Sequence, residues 1–339
     1  MILRKTIITV SAALMAALLP AQELNDYLPD VYGTFRGKYE YNTVEDDHLF
    51  QVRNVRVGLQ GEVGKWIDYK AEVDLSDRGK MRTLDAWVGL SLIPQLKLTC
   101  GQMRAPFGID MHRGPHKRYF ANRSFIYKKM CNNRDVGVKL GFKPKGDIPF
   151  IFDLGLFSGS GITDQTEAKK NLIFSGRLQY VPCNNYNLTL SMQRTRPSIV
   201  NVYTYGLGSY YEFRNWHIEA EGIYTHYANH AFGDVWGVNS ILFYNWWFKQ
   251  SSTPLERISF LGRYEYMDKY AKGKLDEDGK LAMTDDARQR ITGGVTLGLN
   301  IAPCKAEIRF NYEKYLYHDS AVVNPAEQDK LVVELMVRF

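Results

Sequence analysis

Trp66-Ile67-Asp68-Tyr69-Lys70-Ala71-Glu72-Val73-Asp74-Leu75-Ser76 is the stretch that decides the fold. From Ile67 to Leu75, taken at every second position, it separates completely. Ile67, Tyr69, Ala71, Val73 and Leu75 are apolar, and Asp68, Lys70, Glu72 and Asp74 are charged. Successive side chains of a β-strand point to opposite faces, so the segment is a strand with one apolar and one ionised face. A helix would mix both sets around its circumference.

The alternation repeats on both sides of this stretch. In Val52–Gln60, Val55, Val57 and Leu59 oppose Asn54, Arg56, Gly58 and Gln60. Leu84, Ala86, Val88, Leu90 and Leu92 form one apolar face, and Leu331, Val333, Leu335, Val337 and Phe339 form another. Similar segments are Val31–Asn42, Leu96–Met103, Val136–Phe142, Phe150–Phe157, Leu172–Tyr180, Leu188–Gln193, Tyr203–Phe213, Trp216–Tyr227, Trp236–Trp246, Ile258–Tyr266, Ile291–Ile301 and Lys305–Tyr312, which brings the total to 16. The 318 residues after position 21, divided by 16, leave about 20 for each strand with its connection, enough for the about 9–11 that a strand needs to cross a bilayer. Connections near Gly64, Pro94, Asn184, Asn215 and Pro303 are tight, whereas 104–134, 159–170, 269–289 and 317–330 are long. Short turns on one rim and long loops on the other predict an all-β, 16-stranded antiparallel transmembrane β-barrel with periplasmic turns and extracellular loops.

Composition agrees. At 24% charged and 45% hydrophobic residues, the 339-residue chain is too polar for a helical membrane protein and too apolar for a disordered one. Arg4 and Lys5 followed by the apolar run Thr6–Pro20 predict a signal peptide over residues 1–21, cut near Ala21. Residues 22–339 then form a single barrel domain. Two sealed layers of a soluble sandwich are the alternative, since they too would bury sixteen apolar faces. The aromatic residues favour the barrel. Tyr39, Tyr41, Tyr180, Tyr203, Tyr205, Trp216, Trp246, Tyr264, Tyr266 and Tyr312 sit at strand ends on the apolar face, with Gly37, Gly176, Gly262 and Ile308 between. Rings at both edges of an apolar band form a membrane-interface girdle.

A barrel of this size encloses water. Arg36, Lys38, Arg56, Lys70, Arg177, Arg263, Arg290 and Arg309 are the candidate basic lumen wall, nearly balanced by acids such as Glu72, Asp74, Glu219, Glu221, Glu265 and Glu313. The loop 104–134 is not balanced. Arg104, Arg113, Lys117, Arg118, Arg123, Lys128, Lys129 and Arg134 face only Asp110, a sum of +7, with His112 and His116 in addition. The full chain carries +6, so this loop holds the entire positive surplus. Folded into the pore, these eight residues are the candidate constriction and anion-binding set. On the outer rim they would instead bind lipid phosphates or simply be solvated. The aromatic content of the loop (Phe107, Tyr119, Phe120, Phe125, Tyr127) favours packing.

Gly101-Gln102-Met103-Arg104-Ala105-Pro106-Phe107-Gly108 resembles an element of the phosphate-selective porin O and P family, as do Arg123-Ser124 and Arg134-Asp135-Val136-Gly137 after it. Arg53–Gly61, Tyr69–Asp74 and Asp85-Ala86-Trp87-Val88-Gly89 resemble its early strands, so the likeness spans about Val31 to Phe142. The terminal Phe339 resembles an outer-membrane sorting signal. The resemblance implies a 16-stranded barrel, usually trimeric, with the third loop folded inward.

Other chemistry is sparse. His112/His116 and His226/His230 lack acid or Cys partners at metal-ligand spacing, so no metal or cofactor is expected. No Gly-rich phosphate loop and no Gly-x-Ser-x-Gly elbow is present. Of the four Cys, Cys183 and Cys304 fall in separate turns, and a Cys100–Cys131 bridge stays open. The expected function is passive diffusion of small hydrophilic, chiefly anionic, phosphate-like solutes across a Gram-negative outer membrane. Lipid, lipopolysaccharide and two further copies of the chain are the expected partners, with no role for nucleic acid. A scaffold or surface receptor is the alternative, and a barrel enzyme a weaker one.

Overall fold

The computed structural model describes residues 28–339 apart from 132–133, 147, 163–164, 167–170, 198, 249–252, 274, 278 and 319–324. The expected signal segment, 1–21, lies outside the described residues. The strands are β1 (Asp30–Asn42), β2 (Asp47–Val63), β3 (Ile67–Asp77), β4 (Lys80–Ile93), β5 (Leu96–Arg104), β6 (Arg134–Phe142), β7 (Phe150–Phe157), β8 (Ile173–Cys183), β9 (Tyr186–Thr195), β10 (Val202–Phe213), β11 (Trp216–Tyr227), β12 (Val235–Trp247), β13 (Leu255–Met267), β14 (Arg288–Ile301), β15 (Cys304–Tyr317) and β16 (Lys330–Arg338). Each pairs antiparallel with its sequence neighbours, and β1 pairs with β16 to close the barrel.

The polarity is inverted relative to a soluble protein. On β3, Leu75 is 50% exposed on the outer face while Asp74 is fully buried on the inner one. Leu90, Leu190, Leu242 and Leu335 are exposed likewise, whereas Arg309, Glu313 and Glu334 are buried. Only hydrocarbon outside and a polar interior make that arrangement favourable, which removes the sandwich alternative. Rings pack against one another at tilted angles on the outer face near both rims. Phe150–Tyr180 (5.1 Å between centroids) and Trp216–Tyr244 (4.8 Å) lie toward the tight turns. Tyr39–Phe50 and Tyr224–Trp236 (both 4.7 Å) lie toward the long loops.

Several register shifts interrupt the alternation, and two of them, on β2 and β4, bear on the bore. Arg36 pairs with Asn54 and Gly37 with Val52, so Arg53 is the extra residue on β2. Glu72 pairs with Asp85 and Val73 with Thr83, so Leu84 is extra on β4. The expectation that Leu84 faces lipid is therefore corrected: it is 5% exposed and lines the bore, because a bulge shifts the side-chain parity. The rims also differ from the sequence expectation. The connections 64–66, 94–95, 184–185, 214–215 and 302–303 are tight, as expected. The opposite rim, however, contains two tight hairpins of its own, 43–46 and 78–79, beside its long loops. Cys100 is exposed on the outer face and Cys131 is buried, and all four cysteines are free, so the open Cys100–Cys131 bridge is not formed.

Candidate functional site: the infolded basic loop

The loop between β5 and β6 turns into the barrel. Its bend is made where two glycines pair across the hairpin, Gly101 with Gly137. Gly101 has φ +127°, and a Cβ there would stand 2.3 Å from the Ala86 carbonyl oxygen. A Cβ on Gly137 would meet the Leu156 carbonyl oxygen at 2.0 Å. Neither position admits a side chain, and that is the physical content of the glycines in the family-like stretch.

Once inside, the loop forms two 3-10 turns (Asp110–His112 and Pro115–Lys117) and a short helix α1 (Phe125–Met130). Inward side chains of the wall hold its backbone. Glu221 accepts from the Ile109 amide (2.6 Å), the Asp110 amide (3.2 Å) and the Tyr127 hydroxyl. Ser191 accepts from the Gly108 amide (2.9 Å), Glu265 from Phe125 (2.9 Å) and Asn311 from Ala121 (2.9 Å). Arg36, Arg263 and Arg290 donate to the carbonyls of Ala121, Asn122 and Arg123. These contacts satisfy backbone groups that an irregular segment inside a barrel would otherwise leave unpaired.

The apolar side of the loop seals one half of the bore. Phe107, Met111, Phe125, Ile126, Tyr127 and Met130 pack against inward Phe157, Ile173, Val202, Ile223, Tyr227, Val235 and Met267 of β7 to β13. Phe120 packs on Ile241, Phe243 and Leu261. The open space lies chiefly along β1 to β4 and the loop, and its long-loop side also reaches Ile173, Thr195, Arg290, Tyr315 and Lys330. A vestibule of about 1510 Å³ on the long-loop side holds Arg118 and Arg123 among its lining residues. A smaller cavity of about 460 Å³ beyond the loop holds Arg104 and Lys117, and Arg56 lines both.

The predicted basic residues divide sharply by partner. All eight wall candidates are in ion pairs. Arg36 pairs with Glu334, Lys38 with Glu40, Arg56 with Glu72 and Asp74, Lys70 with Glu72 and Asp85, and Arg177 with Asp153. Arg263 and Arg290 both pair with Glu265 and Glu313, and Arg309 pairs with Glu307 and Glu334. In the loop, Arg113 grips Glu219 through two bonds and stacks 4.6 Å from the Tyr119 ring. Lys129 pairs with Asp285 and Glu327, and Arg134 with Asp85 and Glu72. Arg104, Lys117, Arg118, Arg123 and Lys128 make no ion pair among the described residues.

Arg118 and Arg123 stand out within that group. The Arg118 Nε and the Arg123 Nε and Nη2 have no hydrogen-bond partner among the described residues, although little solvent reaches them. Burial, with Arg123 and Arg36 as neighbours, pulls Arg118 well below the ordinary arginine value. A guanidinium keeps its proton in proteins, so the consequence is a positive charge inside the bore that is offset only in part, by Asp110. The histidines add nothing to it at neutral pH. Burial and Arg177 push His112 well below its usual value, and burial with Arg338 and Lys117 brings His116 down to about 4.

The anchors Glu221, Ser191, Glu265 and Asn311 are the functional residues that motif reading overlooks. A signal for the seal was present. On β11, inward His217, Glu219 and Glu221 give way to inward Ile223 and Tyr227, and apolar residues in a wet bore imply a cover.

Comparison with known proteins follows the same line. Residues 31–196 match the family model for phosphate-selective porin O and P. No curated protein matches the chain in sequence. The barrel superposes on the anion-selective porin from Comamonas acidovorans with a TM-score of 0.63 and 13% identity, over 91% of this chain and 98% of that one. It matches OprB of Pseudomonas putida at TM-score 0.63 and 10% identity, over 94% and 95%. For the trimer form of Vibrio cholerae OmpT, the TM-score is 0.57 with 11% identity, over 92% and 98%. At such identities the likeness establishes the fold. Over residues 31–196, just under half of its length, the chain resembles the phosphate-selective porin O and P family, and its barrel is of the channel type found in the Gram-negative outer membrane.

Proposed function

We propose that the channel passes small hydrophilic anions, phosphate-like ones included, by diffusion past a constriction made by the infolded loop. The observation that carries this reading is the pair Arg118 and Arg123, cations without carboxylate partners on the water-accessible side of the loop. In a narrow low-dielectric section, an unpaired positive charge lowers the barrier for anions and raises it for cations. Arg104, Lys117 and Lys128, which make no ion pair among the described residues, extend the positive path on either side, while Arg113 and Lys129 serve to hold the loop and Arg134 is tied to Asp85 and Glu72. The wall arginines contribute structure more than selectivity, because each already has an acid. The full reading includes a signal peptide removed near Ala21, contact with lipopolysaccharide at the long-loop rim and assembly as a homotrimer. Solved relatives support the last point in that the Vibrio cholerae OmpT structure is a trimer form. The test is the reversal potential of single channels in a planar bilayer under a KCl gradient. Anion preference that collapses in R118Q/R123Q supports the proposal, and a cation-selective wild type overturns it.

A further inference from the structure

The 460 Å³ cavity beyond the loop is more elaborate than passage of a small oxyanion requires. Its volume falls in the range of about 300–1000 Å³ typical of small-molecule sites. Two aromatic side chains of the wall, Tyr32 on β1 and Trp87 on β4, line it. Each is fixed from one side. The Lys97 ammonium sits 5.0 Å from the Trp87 ring, and the Tyr32 hydroxyl donates to Glu72 at 2.8 Å. Arg104, Lys117 and Arg338 share the cavity and make no ion pair among the described residues, although the Arg104 Nη1 is spent on the Met111 carbonyl (2.7 Å). The acids that line the same space, Glu72, Asp85 and Asp153, are all engaged by Arg or Lys. His116 is neutral at pH 7 and offers a hydrogen bond rather than a charge.

We propose that this cavity is a subsite for a ring-bearing organic phosphate of monosaccharide size, with its phosphate on Arg104, Lys117 and Arg338 and the apolar face of its ring on Trp87 and Tyr32. Aromatic faces and free cations in one space select for a solute carrying both an apolar face and a negative charge, which neither inorganic phosphate nor a neutral sugar provides. The subsite rests on the anion reading given above and narrows it.

The experiment uses the full chain in planar bilayers and measures block of the chloride current by glucose 6-phosphate, inorganic phosphate and glucose. Glucose 6-phosphate is expected to half-block at a concentration about fivefold or more below that of inorganic phosphate, with glucose weakest, in line with the added worth of ring contacts. W87A is expected to bring glucose 6-phosphate to the level of inorganic phosphate while leaving the latter unchanged, and W87L serves if W87A does not fold. Equal block by the two phosphates in the wild-type channel overturns the subsite and leaves the anion reading standing. An unchanged preference for the sugar phosphate in a folded Trp87 variant also overturns it. A cation-selective wild-type current defeats the anion reading itself, and the subsite with it.

Discussion

The wall and the infolded loop carry the same kind of residue to different ends. Arg36 and Arg309 on the wall share Glu334, fully buried between β1 and β15 on strand β16. Arg118 and Arg123 in the loop make no ion pair among the described residues, and the one acid whose charge reaches both is Asp110. Counting basic residues along the chain would rank wall and loop alike as selectivity elements. Pairing separates them, because a guanidinium already bonded to a carboxylate presents almost no net charge to a passing ion. Buried pairs of this sort act mainly as struts between neighbouring strands.

Four measurements break or sharpen that contrast. The largest effect is expected from E221A. It removes the acceptor of two loop amides and of the Tyr127 hydroxyl, so the loop should lose its seat and the single-channel conductance should rise about twofold or more. Unaltered conductance would mean that the remaining anchors suffice. Next is R118Q/R123Q, where the anion-to-cation permeability ratio should fall about tenfold, the effect of some 1.4 kcal/mol at the barrier. The third is pH. His112 and His116 are depressed in the docked loop, so the free loop binds more protons as pH drops below about 6.5, and docking weakens from there down toward about 4 for His116. Current noise from loop movement should therefore increase between pH 7 and pH 4.5, and H112Q/H116Q should blunt the rise. The smallest change in permeation is expected from R309Q, which should alter the permeability ratio by less than about twofold while lowering barrel stability by about 1–3 kcal/mol, since Glu307 and Glu334 lose a partner. Heat-induced loss of the compact band on gels reads that term. If R309Q moved selectivity as much as R118Q/R123Q, the distinction between wall and loop would fall.

Period two was visible in the residues, and it carried the strands, their number and the face each side chain takes. It failed where a residue was inserted. Leu84 reads as lipid-facing because Ala86, Val88 and Leu90 do, yet the bulge on β4 turns it into the bore. Arg53 likewise interrupts the run that joins Phe50 and Val52 to Val55. The basic loop was legible as a charge anomaly and its packing as an aromatic one. Its anchors were not, because Glu221 looks like any other inward acid until the tip of a loop 112 residues away in sequence reaches it.

What the amino acids determined alone was a two-faced ribbon. Alternation is a local property, and burying charge while exposing leucine has one solution in a bilayer, a closed cylinder. What only the tertiary structure decided was which charges remain free. Arg36 meets Glu334 across 298 positions and Arg113 meets Glu219 across 106, so the partner of each cation is set by barrel closure and by the path of the loop. Coulomb attraction over a few ångströms in a low dielectric settles whether an arginine is paired or left free, and those ångströms exist only after folding.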